Sequence, residues 1–153
     1  MHLHPFSTLN HEQLATILTW RNAPSVRTWM LRDNEISWDE HLAFVATLKD
    51  RQDQRYFLVC EGDHALGVID FTHITPTSAE LGLYANPDNK GVGTKLMEAI
   101  ITYAQKTLKV QRLRAIVFTD NEKAKHLYKK FDFIPISHHP HKERELIVME
   151  REL

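Results

Sequence analysis

Two glycines stand where a predicted strand leads into a long predicted helix, in the segment Asn86-Pro-Asp-Asn-Lys-Gly-Val-Gly-Thr-Lys95. The first amides of a helix have no partner inside the helix and lie at the positive end of its dipole, so they bind anions. Glycines let a phosphate approach the backbone, although they also serve close helix–sheet packing. The pattern predicts a pyrophosphate site whose candidate residues are Lys90, Gly91, Val92, Gly93, Thr94 and Lys95.

A second group of candidate residues lies on one predicted helix later in the chain. This helix is capped by Asp120 or Asn121 and extends to Phe131. Asn121, Ala124 and Tyr128 fall on its adjacent turns, so they can face one groove. Core packing is the alternative role of the tyrosine.

Aromatic and cationic side chains are concentrated in the first third of the chain. All three tryptophans fall between residues 20 and 38. Aromatic faces can stack on a base, and guanidinium groups can hold a pyrophosphate through paired hydrogen bonds. Core packing is the alternative, favoured for Trp20 and Phe44. Arg21 and His41 are harder to place in a core.

Charge and hydropathy limit the partners. Lys plus Arg number 19 and Asp plus Glu number 20, so the formal charge is −1 and any polyanion site must be local. No apolar run approaches the ~20 residues of a membrane helix, and the N-terminus lacks a secretory pattern. The single cysteine, Cys60, cannot form an internal disulfide. We expect a cytoplasmic protein with no membrane or nucleic-acid partner.

The elements that must position these residues follow from periodicity and capping patterns. The 153 residues predict one domain, 1–153, of the α/β (α+β) class. Capping boxes at Asn10–Gln13 and Ser37–Glu40 predict two helices, separated by a short helical segment over residues 25–30. The remaining predicted elements are strands over residues 56–60, 65–74 and 80–84, a five-turn amphipathic helix over 91–109, and strands over 113–118, 133–137 and 145–150.

The Lys-Gly-Val-Gly turn followed by Asn-x-x-Ala-x-x-Leu-Tyr resembles the acetyl-CoA site of the GCN5-related N-acetyltransferase (GNAT) family. The resemblance covers the whole domain. It implies a mixed central sheet of about six to seven strands, splayed between the fourth and fifth and flanked by about four helices. It also implies an acetyl-CoA-dependent N-acetyltransferase, with acetyl-CoA as cosubstrate and no metal.

The same resemblance implies roles for individual residues. In this family the fourth strand holds the pantetheine arm, which assigns Leu83 and Tyr84 to the cofactor. Asn121 and Ala124 would line the cofactor cleft. Tyr128 would lie beside the sulfur and act as the general acid that protonates the departing thiolate. A backbone amide near Tyr84 would stabilise the charge that builds on the carbonyl oxygen.

Two positions depart from the family pattern. Asp88 stands three residues before Gly91, where the family usually has Gln or Arg, which weakens a local phosphate contact. Asp132 replaces the glycine that usually precedes the late phenylalanine. Neither change removes the backbone amides that do most of the anion binding.

Several segments more closely resemble the branch of the family that acts in pseudaminic acid biosynthesis. This branch acetylates the amino group of UDP-4-amino-4,6-dideoxy-N-acetyl-β-L-altrosamine, a UDP-linked sugar, in a pathway that serves flagellin glycosylation. By resemblance, Arg21, Met30, His41 and Phe44 would form the nucleotide-sugar pocket. A homodimer is compatible with the sequence. The matching segments are Trp20-Arg-Asn22, Trp29-Met30, Ser37-x-x-x-His41, Tyr56-Phe-Leu58, Leu66-Gly-Val68 and Leu81-Gly-Leu-Tyr-x-Asn-Pro87.

The group that accepts the proton of the attacking amine stays open at this point. Glu80 is the first candidate, because an acidic residue on this strand faces the acceptor side in several relatives; an exposed strand carboxylate is its alternative role. Asp70 and His73 are the other candidates, acting directly or through water.

Other functions remain as alternatives. A GNAT enzyme acting on a protein N-terminus or another small amine would need an acidic acceptor groove, whereas Arg21, Arg27 and Arg32 favour an anionic acceptor. A non-catalytic acyl-CoA-binding module is the third possibility. The segment His138-His139-Pro140-His141 predicts a solvated loop with no assigned chemistry, and a metal site is its weaker interpretation.

Overall fold

The protein is organised around one mixed sheet, and a computed structural model describes all 153 residues. Seven strands follow the order β1-β2-β3-β4-β5-β7-β6, which confirms the predicted fold class. No helix is both long and apolar enough to cross a lipid bilayer. The strands are β1 His2–Pro5, β2 Arg55–Glu61, β3 His64–Thr72, β4 Ser78–Ala85, β5 Arg112–Phe118, β6 Ile134–His141 and β7 Arg144–Glu152. The helices are α1 His11–Asn22, α2 Pro24–Arg27, α3 Trp38–Leu48, α4 Gly93–Tyr103 and α5 Glu122–Lys130.

The predicted splay between the fourth and fifth strands is confirmed. β4 and β5 form the sheet's parallel pair, and their register runs from Ser78 opposite Arg112 only to Glu80 opposite Arg114. Beyond Glu80, β4 stays paired with β3 as far as Ala85, and β5 stays paired with β7 as far as Phe118. The second half of β4 therefore has one edge facing an opening.

The two faces of the sheet carry different cores. The larger core packs α4 and α5 against one face and includes the fully buried Leu96, Met97 and Ile100. The smaller core packs α1 and α3 against the other face through Leu14, Ile17, Val45, Leu58 and Val68. Because side chains alternate along a strand, one face of β4 meets α4 and α5 and the other meets α1 and α3.

Capping explains where the N-terminal helices begin. Asn10 Oδ1 accepts the N–H of Gln13 at 2.8 Å, and Gln13 Oε1 accepts the N–H of Asn10 at 3.0 Å, which confirms the first capping box. At α3, Ser37 Oγ accepts the N–H of Glu40 at 3.1 Å. The Glu40 carboxylate contacts the Ser37 hydroxyl rather than its backbone, so this second box is half formed.

Three elements differ most from the sequence predictions. The predicted helix over residues 91–109 is α-helical only to Tyr103 and continues as a π-helical turn, Ala104–Leu108, which ends at Lys109 in the left-handed conformation. The N-terminal strand β1 was not predicted, because four residues carry little periodicity and the strand is defined by its pairing with β2.

The histidine-rich segment is the third difference, since the prediction of a loop was wrong. His138 to His141 form the second half of β6 and pair with β7 from Ile147 to Arg144. The sequence does not indicate this strand, because Pro140 and the polar histidines are untypical of a central strand. Both are tolerated on an edge strand.

The backbone conformation of Asp132 explains why the family usually has glycine at this position. It has φ +69°, in the left-handed region. Its N–H donates to Lys129 O at 3.0 Å, and the N–H of Phe133 donates to Tyr128 O at 3.0 Å, which closes the C-terminus of α5 in a Schellman motif. Glycine adopts this conformation without strain, and aspartate is one of the few other residues that do so at modest cost.

Candidate active site

The N-terminus of α4 offers a row of free backbone donors. The N–H of Leu96 donates to Val92 O at 3.0 Å, and it is the first amide after Asn89 to find a backbone acceptor. Val92, the N-cap residue, supplies no side-chain cap. The amides from Gly91 to Lys95 are therefore available to an anion, as the sequence predicts.

Glycine is required at positions 91 and 93 of this turn for different physical reasons. Gly91 has φ +76° and nothing within 4 Å of the position where a side chain would begin, so its conformation rather than its space requires glycine. A Cβ at Gly93 would lie 3.3 Å from Leu127 Cδ2. Gly93 thus lets α5 approach the start of α4, the packing role left open for a glycine here.

The charged side chains around the turn are partly engaged by other residues. Lys95 Nζ donates to Glu61 Oε1 at 2.8 Å, so this cation is held by the last residue of β2. Thr94 Oγ1 accepts from Lys130 Nζ at 3.3 Å, and Lys90 is exposed. Lys130 thus places a cation at the start of α4 that local sequence patterns did not reveal, because it comes from the end of α5.

Asn121 and Ala124 are linked by the cap of α5. Asn121 Oδ1 accepts the N–H of Ala124 at 3.2 Å, which explains the spacing of this pair by helix initiation. Ala124 packs against the larger core. Across the opening, Leu83 also contacts this core, whereas Tyr84 packs against the smaller one on the opposite face. Their contacts with a cofactor remain predictions.

Tyr128 is 7% exposed and lies among the core residues at the splay, beside Phe133 with ring centroids 5.7 Å apart. Burial raises the pKa of its phenol, and the Asp70 carboxylate raises it further. The hydroxyl is therefore protonated at neutral pH, the state that a general acid requires.

A group of polar side chains lies on the sheet face covered by the N-terminal helices. Asp70 of β3 stands between Tyr56 of β2 and Gly82 of β4 in the register. Tyr84 and Glu80 flank Gly82 on the same face of β4, because residues two apart point the same way. We call Tyr56, Asp70, Glu80 and Tyr84 the carboxylate–tyrosine cluster.

The carboxylate of Asp70 is the unusual member of this cluster. Burial, reinforced by the negative charge of Glu80, raises its pKa to about 7. Burial also raises the pKa of Tyr84 and Tyr56, and Asp70 adds to both shifts. The cluster therefore joins one carboxyl group that titrates near neutrality to hydroxyl groups that stay protonated.

Arg21 brings a positive charge to this face from the last turn of α1. Its Nη2 donates to Arg32 O at 2.6 Å, whereas its Nη1 is buried without a hydrogen-bond partner. Its charge interacts with Tyr84 and Tyr56 of the cluster. A buried, unpaired guanidinium N–H is costly, and a ligand acceptor would satisfy it.

The segment from Thr28 to Ser37, which carries the half-buried Met30, is fixed by hydrogen bonds from both sides. Asn22 donates through Nδ2 to Ile36 O and accepts the Ile36 N–H through Oδ1, both at 2.8 Å. Such two-sided bonding holds the wall of the expected acceptor pocket in one arrangement.

The two other predicted pocket residues lie in or beside the smaller core. His41 is 6% exposed and its Nε2–H donates to Leu14 O at 3.0 Å, so it links α3 to α1. Burial lowers the pKa of His41 and keeps the ring neutral. The expectation that His41 is hard to place in a core was therefore wrong. Phe44 packs edge-to-face on Tyr56, with centroids 4.9 Å apart, and so borders the cluster.

Glu80 and His73, the other candidate bases, lie at the outer end of the cluster. Glu80 is the last residue of β4 that is paired with β5, and its side chain is 21% exposed. His73 Nδ1 lies 3.7 Å from Glu80 Oε1, and its side chain is 79% exposed. The catalytic role of Glu80 stays a prediction.

The histidine-rich part of β6 forms no metal centre. No group of three or more His, Cys, Asp or Glu side chains is arranged to hold a metal ion. His138 Nδ1 lies 3.2 Å from Glu145 Oε1, and the His141 Nε2–H donates to Leu31 O at 3.3 Å. The histidines thus connect β6 to β7 and to the segment that carries Met30.

Comparison with known proteins identifies the class. The sequence profile of the acetyltransferase (GNAT) domain matches residues 2–134, and the chain therefore belongs to the GNAT acetyltransferase family. It is 44% identical over 128 residues to acetyltransferase PseH from Campylobacter jejuni strain 81-176, covering 84% of this chain and 81% of that protein.

Solved structures agree with this assignment. The crystal structure of C. jejuni N-acetyltransferase PseH in complex with acetyl coenzyme A superposes with a TM-score of 0.82 and 35% identity, covering 99% of this chain and 97% of that one. A spermidine N-acetyltransferase from Vibrio cholerae in complex with CoA and spermine has a TM-score of 0.87 at 19% identity, over 99% and 94% of the two chains, which shows the shared fold alone. The predicted family and enzyme class are confirmed.

Proposed function

We propose that this enzyme transfers the acetyl group of acetyl-CoA to the free amino group of UDP-4-amino-4,6-dideoxy-N-acetyl-β-L-altrosamine, the reaction of pseudaminic acid biosynthesis. The donor assignment is supported by similarity to PseH, whose crystal structure is a complex with acetyl-CoA, and by the free amides before α4. The acceptor assignment is supported by the resemblance of the N-terminal segments to that branch of the family. Both ligands are cytoplasmic metabolites, so the reaction belongs in the cytoplasm.

The unpaired Nη1 of Arg21 is the observation that carries the acceptor assignment. This buried donor has no partner within the chain and sits with the two tyrosines of the cluster. A UDP-sugar carries a diphosphate and several carbonyl and hydroxyl oxygens, any of which would satisfy such a donor. Phe44, which packs on Tyr56 of the cluster, provides apolar surface for the base or the sugar ring, and Met30 is the second apolar residue proposed for this pocket.

The proposed chemistry is direct attack on the thioester. The amine nitrogen forms a bond to the acetyl carbonyl carbon, and negative charge builds on the carbonyl oxygen beside the open edge of β4. The C–S bond then breaks. Tyr128 donates its proton to the thiolate, and the amine loses one proton to a base, so the products are CoA and the acetamido sugar.

A polyamine acceptor is the natural competitor, because the spermidine N-acetyltransferase of Vibrio cholerae shares this fold. A polycation would meet the unpaired positive charge of Arg21, and like charges at close range disfavour binding. The arginine-containing pocket therefore favours the anionic acceptor.

Thiol release from acetyl-CoA tests the proposal. The wild-type enzyme should release CoA with the UDP-amino sugar and should bind UDP in calorimetry, whereas spermidine should support little turnover. Arg21→Gln should raise the KM of the UDP-sugar about tenfold or more, since a charged hydrogen bond contributes roughly 1.5–3 kcal/mol. Arg51→Gln is the matched control, because Arg51 is exposed and paired with Asp53. Failure of UDP and UDP-sugars to bind would contradict the assignment.

We also propose that two copies associate through the edge strand β6. Ile134 is 60% exposed and Ile136 is 52% exposed on this edge. An exposed apolar edge strand can pair with its counterpart in a second chain. Light scattering after size exclusion should give a dimer for the wild type and a monomer for the double variant Ile134→Lys, Ile136→Lys; a wild-type monomer at micromolar concentration would exclude the dimer.

A further inference from the structure

We infer that the Asp70 carboxylate accepts the proton that the attacking amine loses. The inference rests on the proposed acetyl transfer to an amine, but not on the identity of that amine. It assigns the proton-accepting role to β3, whereas the sequence offered Glu80 of β4 as the first candidate.

The first argument is position relative to the opening in the sheet. β4 and β5 are paired up to Glu80 and separate beyond it, so Gly82 is the first residue past the pairing on this face. Asp70 is the register partner of Gly82 on β3, the strand that pairs with the other edge of β4. Its carboxylate therefore lies beside the open part of the sheet, whereas Glu80 lies at the closed part.

Gly82 supplies the second argument, because it leaves the space that the carboxylate fills. A Cβ at position 82 would lie 2.7 Å from Asp70 Oδ1 and closer still to Oδ2. Such contacts do not occur in folded proteins, so any other residue here would displace the carboxylate. Gly82 has negative φ, which leaves this close approach as the reason for glycine.

The third argument is that the carboxylate has neither a cation nor a hydrogen-bond donor to hold it. Burial and the negative charge of Glu80 raise its pKa, and the carboxylate makes no hydrogen bond or ion pair that would lower it. The ionisable groups that interact with it are Tyr56 from β2, Glu80 and Tyr84 from β4 and Tyr128 from α5. Arg21 from α1 interacts instead with the two tyrosines of the cluster. A structural carboxylate is normally paired, and an unpaired one in a cleft fits an acceptor for a ligand's N–H.

Titration near neutrality suits the same role. A base with a pKa of about 7 is ionised in a large fraction of molecules at neutral pH and still binds a proton well. Asp70 is also coupled to the general acid, because its negative charge raises the pKa of Tyr128. Once Asp70 has taken the amine proton, this charge is gone and Tyr128 releases its own proton more easily.

The step balances without another reactant. The amine nitrogen bonds to the carbonyl carbon, and its proton moves to an Asp70 oxygen. The C–S electron pair leaves with sulfur, which takes the proton of Tyr128. Transfer of the Asp70 proton to the Tyr128 phenolate, directly or through water, restores both groups.

The pH dependence of kcat separates Asp70 from Glu80. Asp70→Asn should lower kcat about 100-fold or more and remove the acidic limb, since general-base catalysis contributes 10²–10⁴-fold. Glu80→Gln should keep that limb but shift it to lower pH, because a negative charge that raises the pKa of Asp70 is removed. Loss of the limb in Glu80→Gln with its retention in Asp70→Asn would overturn the inference.

Two further measurements keep the result interpretable. Acetyl-CoA affinity and melting temperature of each variant show whether the cofactor site and fold are intact. Gly82→Ala should lower kcat strongly, yet add little to Asp70→Asn in the double variant, because both changes remove the same carboxylate from its place. Additive effects would contradict the assignment. If the wild type acetylates a different amine, the proposed acceptor fails, and the same variants test Asp70 with that amine.

Discussion

The guanidinium carbon of Arg144 lies 3.6 Å from the ring centroid of Phe118, so that β7 carries a cation stacked on the end of β5. The same side chain donates through Nη1 to Thr28 O at 2.8 Å and through Nη2 to Asp120 Oδ1 at 3.2 Å. Arg144 therefore joins the last hairpin to the segment that carries Met30. If Met30 belongs to the proposed acceptor pocket, the position of that wall depends on the opposite end of the chain.

We predict that Arg144→Lys raises the KM of the acceptor about threefold to tenfold and leaves the KM of acetyl-CoA unchanged. Lysine keeps the charge but cannot stack and bond to two acceptors at once. Steady-state kinetics with each substrate varied in turn makes the measurement, with Arg151→Lys on the same strand as the control. An equal rise in both constants would indicate general destabilisation instead.

The glycine turn before α4, where we propose that the cofactor binds, gives a prediction with a closely matched control. Gly91 and Gly62 both have positive φ and open space around the missing side chain. Alanine at either position should cost about 1 kcal/mol of stability through backbone strain. Only Gly91→Ala should also raise the KM of acetyl-CoA, since only that turn presents free amides to the pyrophosphate. Equal KM values in the two variants would argue against the proposed anion site.

Tyr128→Phe removes the candidate general acid while keeping the packing against Phe133. We expect kcat to fall about 100-fold and the dissociation constant of acetyl-CoA to change less than twofold. Tyr103→Phe is the control, because the Tyr103 hydroxyl accepts a hydrogen bond from Arg55 Nη1 at 2.6 Å and is not part of the candidate active site. A fully active Tyr128→Phe enzyme would exclude the acid role.

The pKa of Asp70 also predicts how stability depends on pH. The raised value, about 7 against an ordinary 3.8, means that the folded chain binds this proton more tightly than the unfolded chain. The wild type therefore loses stability as the pH rises through this interval. Asp70→Asn should melt several degrees higher than the wild type at about pH 8, and this gain should vanish near pH 4. A gain that is independent of pH would mean that the carboxyl is not buried as described.

Asp132→Gly should stabilise the protein by about 1 kcal/mol, because glycine adopts the left-handed conformation at the end of α5 without strain. Thermal melting measures the change, and Asp132→Ala should move the melting temperature downward. A lower melting temperature for the glycine variant would show that the aspartate side chain contributes a compensating interaction.

Much of the fold, including the glycine turn before α4, could be predicted because the signals are local. The capping box at Asn10 and Gln13 and the glycine turn before α4 are determined by residues within a few positions of one another. In contrast, β1 becomes a strand only through β2, and the histidines of β6 become one only through β7. Their sequences carry no strong periodicity of their own.

The acceptor side shows the same limit at the level of single residues. From the sequence, His41 is hard to place in a core, because its partner, the carbonyl of Leu14, lies on another helix. Asp70 was one of three candidate bases. What distinguishes it, its place opposite Gly82, depends on strand register, which the sequence of either strand alone does not determine.

The most direct test of the proposed function is mass spectrometry of the acceptor after incubation with wild-type enzyme and acetyl-CoA. We expect UDP-4-amino-4,6-dideoxy-N-acetyl-β-L-altrosamine to gain one acetyl group at its free amine, with one CoA released for each sugar converted, and spermidine in the same mixture to stay unmodified. Acetylated spermidine beside an unchanged nucleotide sugar would contradict the proposal.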